Sequence, residues 1–254
     1  MTQQEARELI LELPEVYLAY SRATNMPYLA EGEEDASDQV FLFSTQEEVK
    51  AFIYRKQEEK IPVMGMWHDK KTFPHMLMIL VHIGVDTVVF TQGEKTTSIP
   101  LSFLARQPDF SRIEEAKRPL FNPRLQLCCL YFLQALRSPE KDKNGALIRA
   151  LEEEVLVNLA RSSFLCMVQR SEGENGNIQL PLIKRKDGML FMPLFTDVME
   201  LQKQTKGKPV KTGKVSFGDL PKVLLDQANG FAINPFGFNL VLDRDTLKKL
   251  VGKA

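Results

Sequence analysis

Phe43-Ser44-Thr45-Gln46-Glu47-Glu48-Val49-Lys50-Ala51-Phe52 and Phe195-Thr196-Asp197-Val198-Met199-Glu200-Leu201-Gln202-Lys203-Gln204 align without a gap, and they decide how the rest of the chain is read. Each closes a short apolar run, VFLF (40–43) in one case and MLFMPLF (189–195) in the other. Each then offers hydroxyl or carboxylate side chains at the place of an N-cap and acidic residues in the following turn. That chemistry satisfies the free N–H groups of a helix start and complements its dipole. The pattern is a buried strand running directly into a capped helix.

Working outward, the same grammar surrounds both junctions. Ahead of the first lie a helix-period segment (5–13), the apolar run VYLAY (16–20) and an acidic, turn-rich loop (31–38) that reads as a hairpin connection. Ahead of the second lie the amphipathic ALIRALEEEVLVNLARS (146–162), then FLCMV (164–168) and LPLI (180–183). Downstream, VDTVVF (85–90) and NGFAIN (229–234) are both β-rich, each followed by a glycine, Gly93 and Gly237. A further strand then leads into SFLARQ (102–107) or DTLKKLVGK (245–253). The order predicts an α+β fold made of two tandem copies of an α-β-β-β-α-β-α-β-β-α module with mixed sheets. The first copy, with the apolar connecting helix 121–137, occupies 1–139. The second occupies 140–254, and the charged breaker SPEKDKNG (138–145) sets the boundary.

The second copy carries DGMLFMPLFTDVMEL (187–201), FGDLPKVLLDQANGFAINPFG (217–237) and NLVLDRDTLKKL (239–250). In this combination and order the chain resembles the SseB-type family of bacterial proteins, named for enhanced serine sensitivity. The first copy departs from that pattern, with Phe90-Thr91 where Asn234-Pro235 would fall, so it resembles a diverged repeat. The resemblance implies a fold and no particular reaction or cofactor.

Composition excludes several classes. With 254 residues, 44% hydrophobic and 26% charged, the chain has material for two ordinary cores. Its 33 basic and 33 acidic residues argue against nucleic acid or an anionic membrane surface as partner. The balance hides an asymmetry: 15 basic and 19 acidic residues up to Pro139, 18 and 14 after it, opposite signs that favour docking of the halves or self-association. The acidic N-terminal stretch does not read as a signal peptide, and no apolar run approaches the ~18 residues of a membrane helix. Three cysteines, two of them adjacent, fit a reducing cytoplasm better than a disulfide framework.

No catalytic constellation emerges. His68, His75 and His82 recur every seventh residue, but Pro74 breaks any common helix from His68, and two turns is the wrong spacing for a helical zinc pair. Cys128 and Cys129 lie in an apolar helix without a cationic neighbour. The sequence lacks the nucleophile-elbow, P-loop and dinucleotide glycine patterns. No metal or cofactor is expected. Asn234-Pro235-Phe236-Gly237 reads as a turn, with a ligand or partner contact at the strand ends as its functional counterpart. Lys184, Arg185 and Lys186 open a basic stretch of eight Lys or Arg reaching Lys214, which reads as solvated loops or as a docking face for an acidic protein. The sequence therefore points to a noncatalytic protein-interaction or regulatory module. The alternative is an enzyme or small-ligand binder with its site near the Asn-Pro-Phe-Gly turn.

Overall fold

The two strand-to-helix junctions form as the sequence requires, and each is held by a side-chain cap. In the computed structural model, which describes residues 1–170 and 178–252, the first junction joins β4 (Asp38–Phe43) to α2 (Gln46–Glu58). Thr45 is its N-cap, accepting from the Glu48 amide, while Glu48 reaches back to the Thr45 amide in a reciprocal capping box. The second joins β11 (Leu190–Leu194) to α6 (Val198–Thr205), with Asp197 as N-cap accepting from the Glu200 amide. Phe43 and Phe195 are 2% and 0% exposed, so each strand ends in an anchor of its own core. Lys253 and Ala254, the end of the expected second copy, lie outside the described residues.

The fold is α+β, with eight α-helices and mixed sheets among the described residues. Two compact units divide the chain: Met1–Glu114 with Leu130–Leu151, and Glu115–Cys129 with Glu152 onward. Helix α4 (Pro123–Leu136) and helix α5 (Gly145–Ala160) each contribute residues to both.

The first unit opens with α1 (Gln3–Glu12), β1 (Glu15–Ser21) and the two-residue β2 (Met26–Pro27) and β3 (Ala30–Glu31). After β4 and α2 come β5 (Val63–Asp69), α3 (Phe73–Ile83), β6 (Thr87–Gln92) and β7 (Lys95–Pro100). Strand β4 pairs in parallel with β6, while β1 pairs antiparallel with β4 and along its whole length with β5. Ala19, Tyr28, Phe43, Val49, Phe52 and Val63 form one continuous apolar cluster between sheet and α2. Gly65 is required there, because a Cβ on it would lie 2.9 Å from a Val49 methyl.

The second unit has β8 (Ser163–Arg170), β9 (Ile178–Gln179), β10 (Ile183–Lys184), β11, α6, β12 (Lys211–Ser216), α7 (Leu220–Val223), β13 (Gly230–Ile233), β14 (Leu240–Asp243) and α8 (Arg244–Val251). Strand β11 pairs in parallel with β13, β13 antiparallel with β14, and β8 antiparallel with β12. Leu165 bridges Phe195 as Tyr17 pairs with Phe43. Met167, Phe195 and Leu201 form a small core with Leu165 packed on it.

Three details differ from the sequence reading. Among the described residues each unit has four strands, not three, before its junction helix, two of them only two residues long. The LPLI run is not one strand: β9 ends at Gln179 and β10 begins at Ile183, because Pro181 has no N–H to give a ladder. SFLARQ is not an amphipathic helix but a single 3₁₀ turn, Leu101–Phe103, followed by irregular chain.

Candidate functional site

Asn234 sits at the C-terminal end of β13, fully buried and in the left-handed region at φ 47°. That conformation, which asparagine tolerates, turns the chain out of the sheet. Every polar group of Asn234 has work inside the unit. Its amide donates to the Leu194 carbonyl at 2.8 Å, and its carbonyl accepts from the Gly237 and Asn239 amides at 2.9 and 3.0 Å. The side-chain Oδ1 accepts from the Thr196 amide at 2.9 Å, and Nδ2 donates to Thr196 Oγ1 at 2.8 Å. The turn thus clamps the residue that precedes the α6 cap. Pro235 is half-buried, Phe236 is 58% exposed, and Gly237 lies against Glu200, whose Oε2 would be 2.5 Å from a Cβ there.

The register equates Asn234 with Thr91 and Ile233 with Phe90, since Phe43 pairs with Thr91 and Leu42 with Phe90, whereas Leu194 pairs with Ile233. The expected Asn-Pro position in the first unit is therefore Thr91-Gln92, one residue later than the sequence alignment set it. There the Ser44 amide donates to the Thr91 carbonyl at 3.1 Å, continuing the ladder with main chain where the second unit uses a side-chain amide.

Two residues the sequence reading passed over complete the clamp. Asn122 Nδ2 donates to the carbonyls of Ser163 and Thr196, at 3.0 and 2.7 Å. Gln126 Nε2 donates to the buried Asp197 carboxylate at 2.6 Å. Their signal was available: two amides four residues apart at the start of a largely apolar helix, where a buried polar pair needs a partner. Lys203 closes the network on Glu200 at 2.5 Å.

Lys184, Arg185 and Lys186 are exposed at the β10–β11 hairpin, where the Arg185 amide donates to the Met189 carbonyl. Arg185 pairs with Asp187 at 3.2 Å and lies 5.6 Å from the centre of the Phe191 ring. This turn flanks Leu190, whereas Asn234 follows Ile233 at the far end of the same parallel pair. The structure places the two candidate groups at opposite ends of the strands, roughly 13 Å apart by strand rise.

A third feature lies beside the α6 clamp. A groove of about 480 Å³ runs between α6, the edge strand β12 and the segment around Leu120. Leu120, Leu165, Leu201, Val198 and Val210 supply apolar lining, with Val198 and Val210 42% and 37% exposed. Arg118, Lys208 and Lys214 supply charge, and no described lining residue is acidic. Strand β12 is paired to β8 on one side and stands at the end of its sheet. An apolar trough with one sign of charge and a free strand edge is suited to an extended chain rather than to bond-making chemistry.

Burial pushes the Cys129 and Cys166 thiols up, away from the thiolate form that a nucleophile needs. Burial lowers His68. His68 lies in β5 and His75 and His82 in α3, whose first turn carries Pro74. Among the described residues no three His, Cys, Asp or Glu side chains converge as a metal site, and no described helix is long and apolar enough to cross a membrane.

Residues 132–249, a little under half of the chain, match the family model of the SseB protein N-terminal domain, which supports the resemblance for that part of the chain. No curated protein matches the sequence. Two solved structures align over most of the chain. Tic22 from Plasmodium falciparum shows 13% identity over 97% of this chain and 96% of its own, with a TM-score of 0.22. Anabaena Tic22, described as a protein of protein transport, shows 12% identity over 91% and 92%, with a TM-score of 0.21. At TM-scores this low neither alignment bears on fold or function.

Proposed function

We propose that this chain is a noncatalytic protein-binding module, built from two diverged copies of one α+β unit, whose second copy holds an extended acidic and apolar segment of a partner in the groove between α6 and β12. The observation that carries the proposal is the groove itself: apolar lining, three basic side chains, no described acidic lining residue and an edge strand along one wall. The same arrangement lacks what an enzyme needs, namely a titratable pair facing a reacting atom. The buried, fully hydrogen-bonded Asn234 acts as the support that fixes α6 as a groove wall.

The duplication is supported by pairings that recur one for one. Strands β1, β4, β5, β6 and β7 have the counterparts β8, β11, β12, β13 and β14, with the same parallel or antiparallel sense at each contact. A reducing, cytoplasmic setting is supported by three free cysteines.

The test is fluorescence anisotropy with a labelled peptide of alternating glutamate and leucine, against a lysine-leucine peptide of equal length. The acidic peptide binds and weakens as salt rises, because exposed charges are screened over about 8 Å at physiological ionic strength. Lys208→Glu and Lys214→Glu each weaken binding by about tenfold, ~1.4 kcal/mol. Equal binding of both peptides, or none by either, would overturn the proposal.

A further inference from the structure

We infer that β5, the edge strand of the first unit, pairs antiparallel with β5 of a second copy of this chain about a two-fold axis at Met66. Strand β5 gives its whole length to β1 on one side and pairs with no other described strand. Gly65, Met66 and Trp67 are exposed in its middle, Met66 by 41% and Trp67 by 60%. An exposed strand edge is a template for another strand, and stable monomers blunt it with lysine, proline, a bulge or inward charge. The counterpart strand β12 carries Lys211 and Lys214, like charges that disfavour its pairing with a second copy of itself while admitting an acidic segment, and Lys214 opposes Leu165 as Trp67 opposes Tyr17. Strand β5 reads Val-Met-Gly-Met-Trp-His-Asp, with no lysine, arginine or proline and a single acidic residue at its end. The position protected by a lysine in one unit holds the chain's single tryptophan in the other.

The sequence of β5 is also complementary to itself in one register. With Met66 opposite Met66, Gly65 faces the second copy's tryptophan and Trp67 faces its glycine. Val49 and Ile53 already sit over Gly65, so the indole facing that glycine lies beside them and packs on apolar side chains, where a large residue in place of the glycine would crowd it. Asp69 then opposes Val63 rather than another Asp69, so no like charges meet. Shifting the axis by one residue to Trp67 brings Asp69 opposite Gly65 and sets the two indoles against each other, and the Gly–Trp pairs are lost. A symmetric contact of this kind is isologous and closes at two copies. It involves neither α6 nor β12, so it stands independently of the peptide groove.

Light scattering of the full chain across a wide concentration range tests the inference, with a mass approaching twice 29.0 kDa expected at the upper end. Trp67→Lys, which places a lysine on β5 as on β12, returns the mass to 29.0 kDa, and at dilution where both chains are monomeric it leaves the melting temperature unchanged, since the side chain is exposed. The register is read separately by oxidation of single cysteine variants in a Cys166→Ala background. Met66→Cys cross-links to itself, because directly opposed residues lie within the Cα separation a disulfide spans, about 4.4–6.8 Å. Met64→Cys does not, because it faces His68. A mass of 29.0 kDa at every concentration, a dimer untouched by Trp67→Lys, or preferential cross-linking of Met64→Cys would each overturn the inference.

Discussion

The face between junction helix and edge strand is filled in the first unit and open in the second. Helix α2 runs 13 residues, and Val49, Phe52 and Ile53 pack down on β5 around Gly65. Helix α6 runs only eight; the gapless junction alignment sets Thr205 where Ile53 stands, and the strand register sets Lys214 where Trp67 stands. The same strand pairings therefore enclose a core in one unit and a groove in the other. A groove here needs no new architecture, only a shorter helix and a threonine in place of one branched apolar side chain.

The junctions also differ in what holds them. In the first unit the Glu48 carboxylate gathers the amides of Ser44, Thr45 and Gly93, at 3.0, 3.0 and 2.6 Å. In the second, Asn234, Asn122 and Gln126 share that task with Asp197 and Thr196. One carboxylate, serving both a local capping box and the Gly93 turn, is replaced by a clamp drawn from three separate stretches of chain.

This contrast orders the expected mutational losses. Phe43→Ala and Phe195→Ala each remove a fully buried aromatic anchor, so each lowers stability by about 3 to 5 kcal/mol in chemical denaturation. A loss near 1 kcal/mol for either would mean that its junction is not a core element. Asp197→Ala removes the α6 cap and also strips Gln126 of its carboxylate partner in a buried site, about 2 to 3 kcal/mol in all. Thr45→Ala removes only a solvent-facing cap, about 1 kcal/mol. Equal losses for the two caps would erase the distinction between a local and a distributed junction. The smallest effect sharpens the comparison most: Thr205→Ile restores the first unit's side chain to the groove, leaves the melting temperature within a degree or two, and weakens the acidic peptide in anisotropy.

Much of this was legible in the sequence because it rests on local rules. VYLAY, VFLF, FLCMV and NGFAIN are apolar runs bounded by breakers, and the Ser-Thr and Thr-Asp caps announce their helices without tertiary help. The two-residue strands β2, β3, β9 and β10 were not legible, since a pair of residues has no periodicity to detect. The groove was hidden for a different reason. Arg118, Leu165, Val198 and Lys214 come from four distant stretches; the pairing of β12 with β8 sets Lys214 opposite Leu165, and only the tertiary fold adds Arg118 and Val198. The basic stretch was visible as charge, but its members divide: Arg185 belongs to a hairpin turn, Lys203 to an internal ion pair with Glu200, and Lys208 and Lys214 to the groove.

Hydrogen exchange followed by mass spectrometry, on the full chain with and without saturating glutamate-leucine peptide, tests the central claim most directly. Amides of Val198–Thr205 and Lys211–Ser216 slow on addition of peptide, because a segment seated in the groove covers α6 and shields the edge of β12, while the 184–189 hairpin exchanges as before. Protection confined to the hairpin, or to the turn at Asn234–Gly237, with α6 and β12 unchanged, would contradict the account.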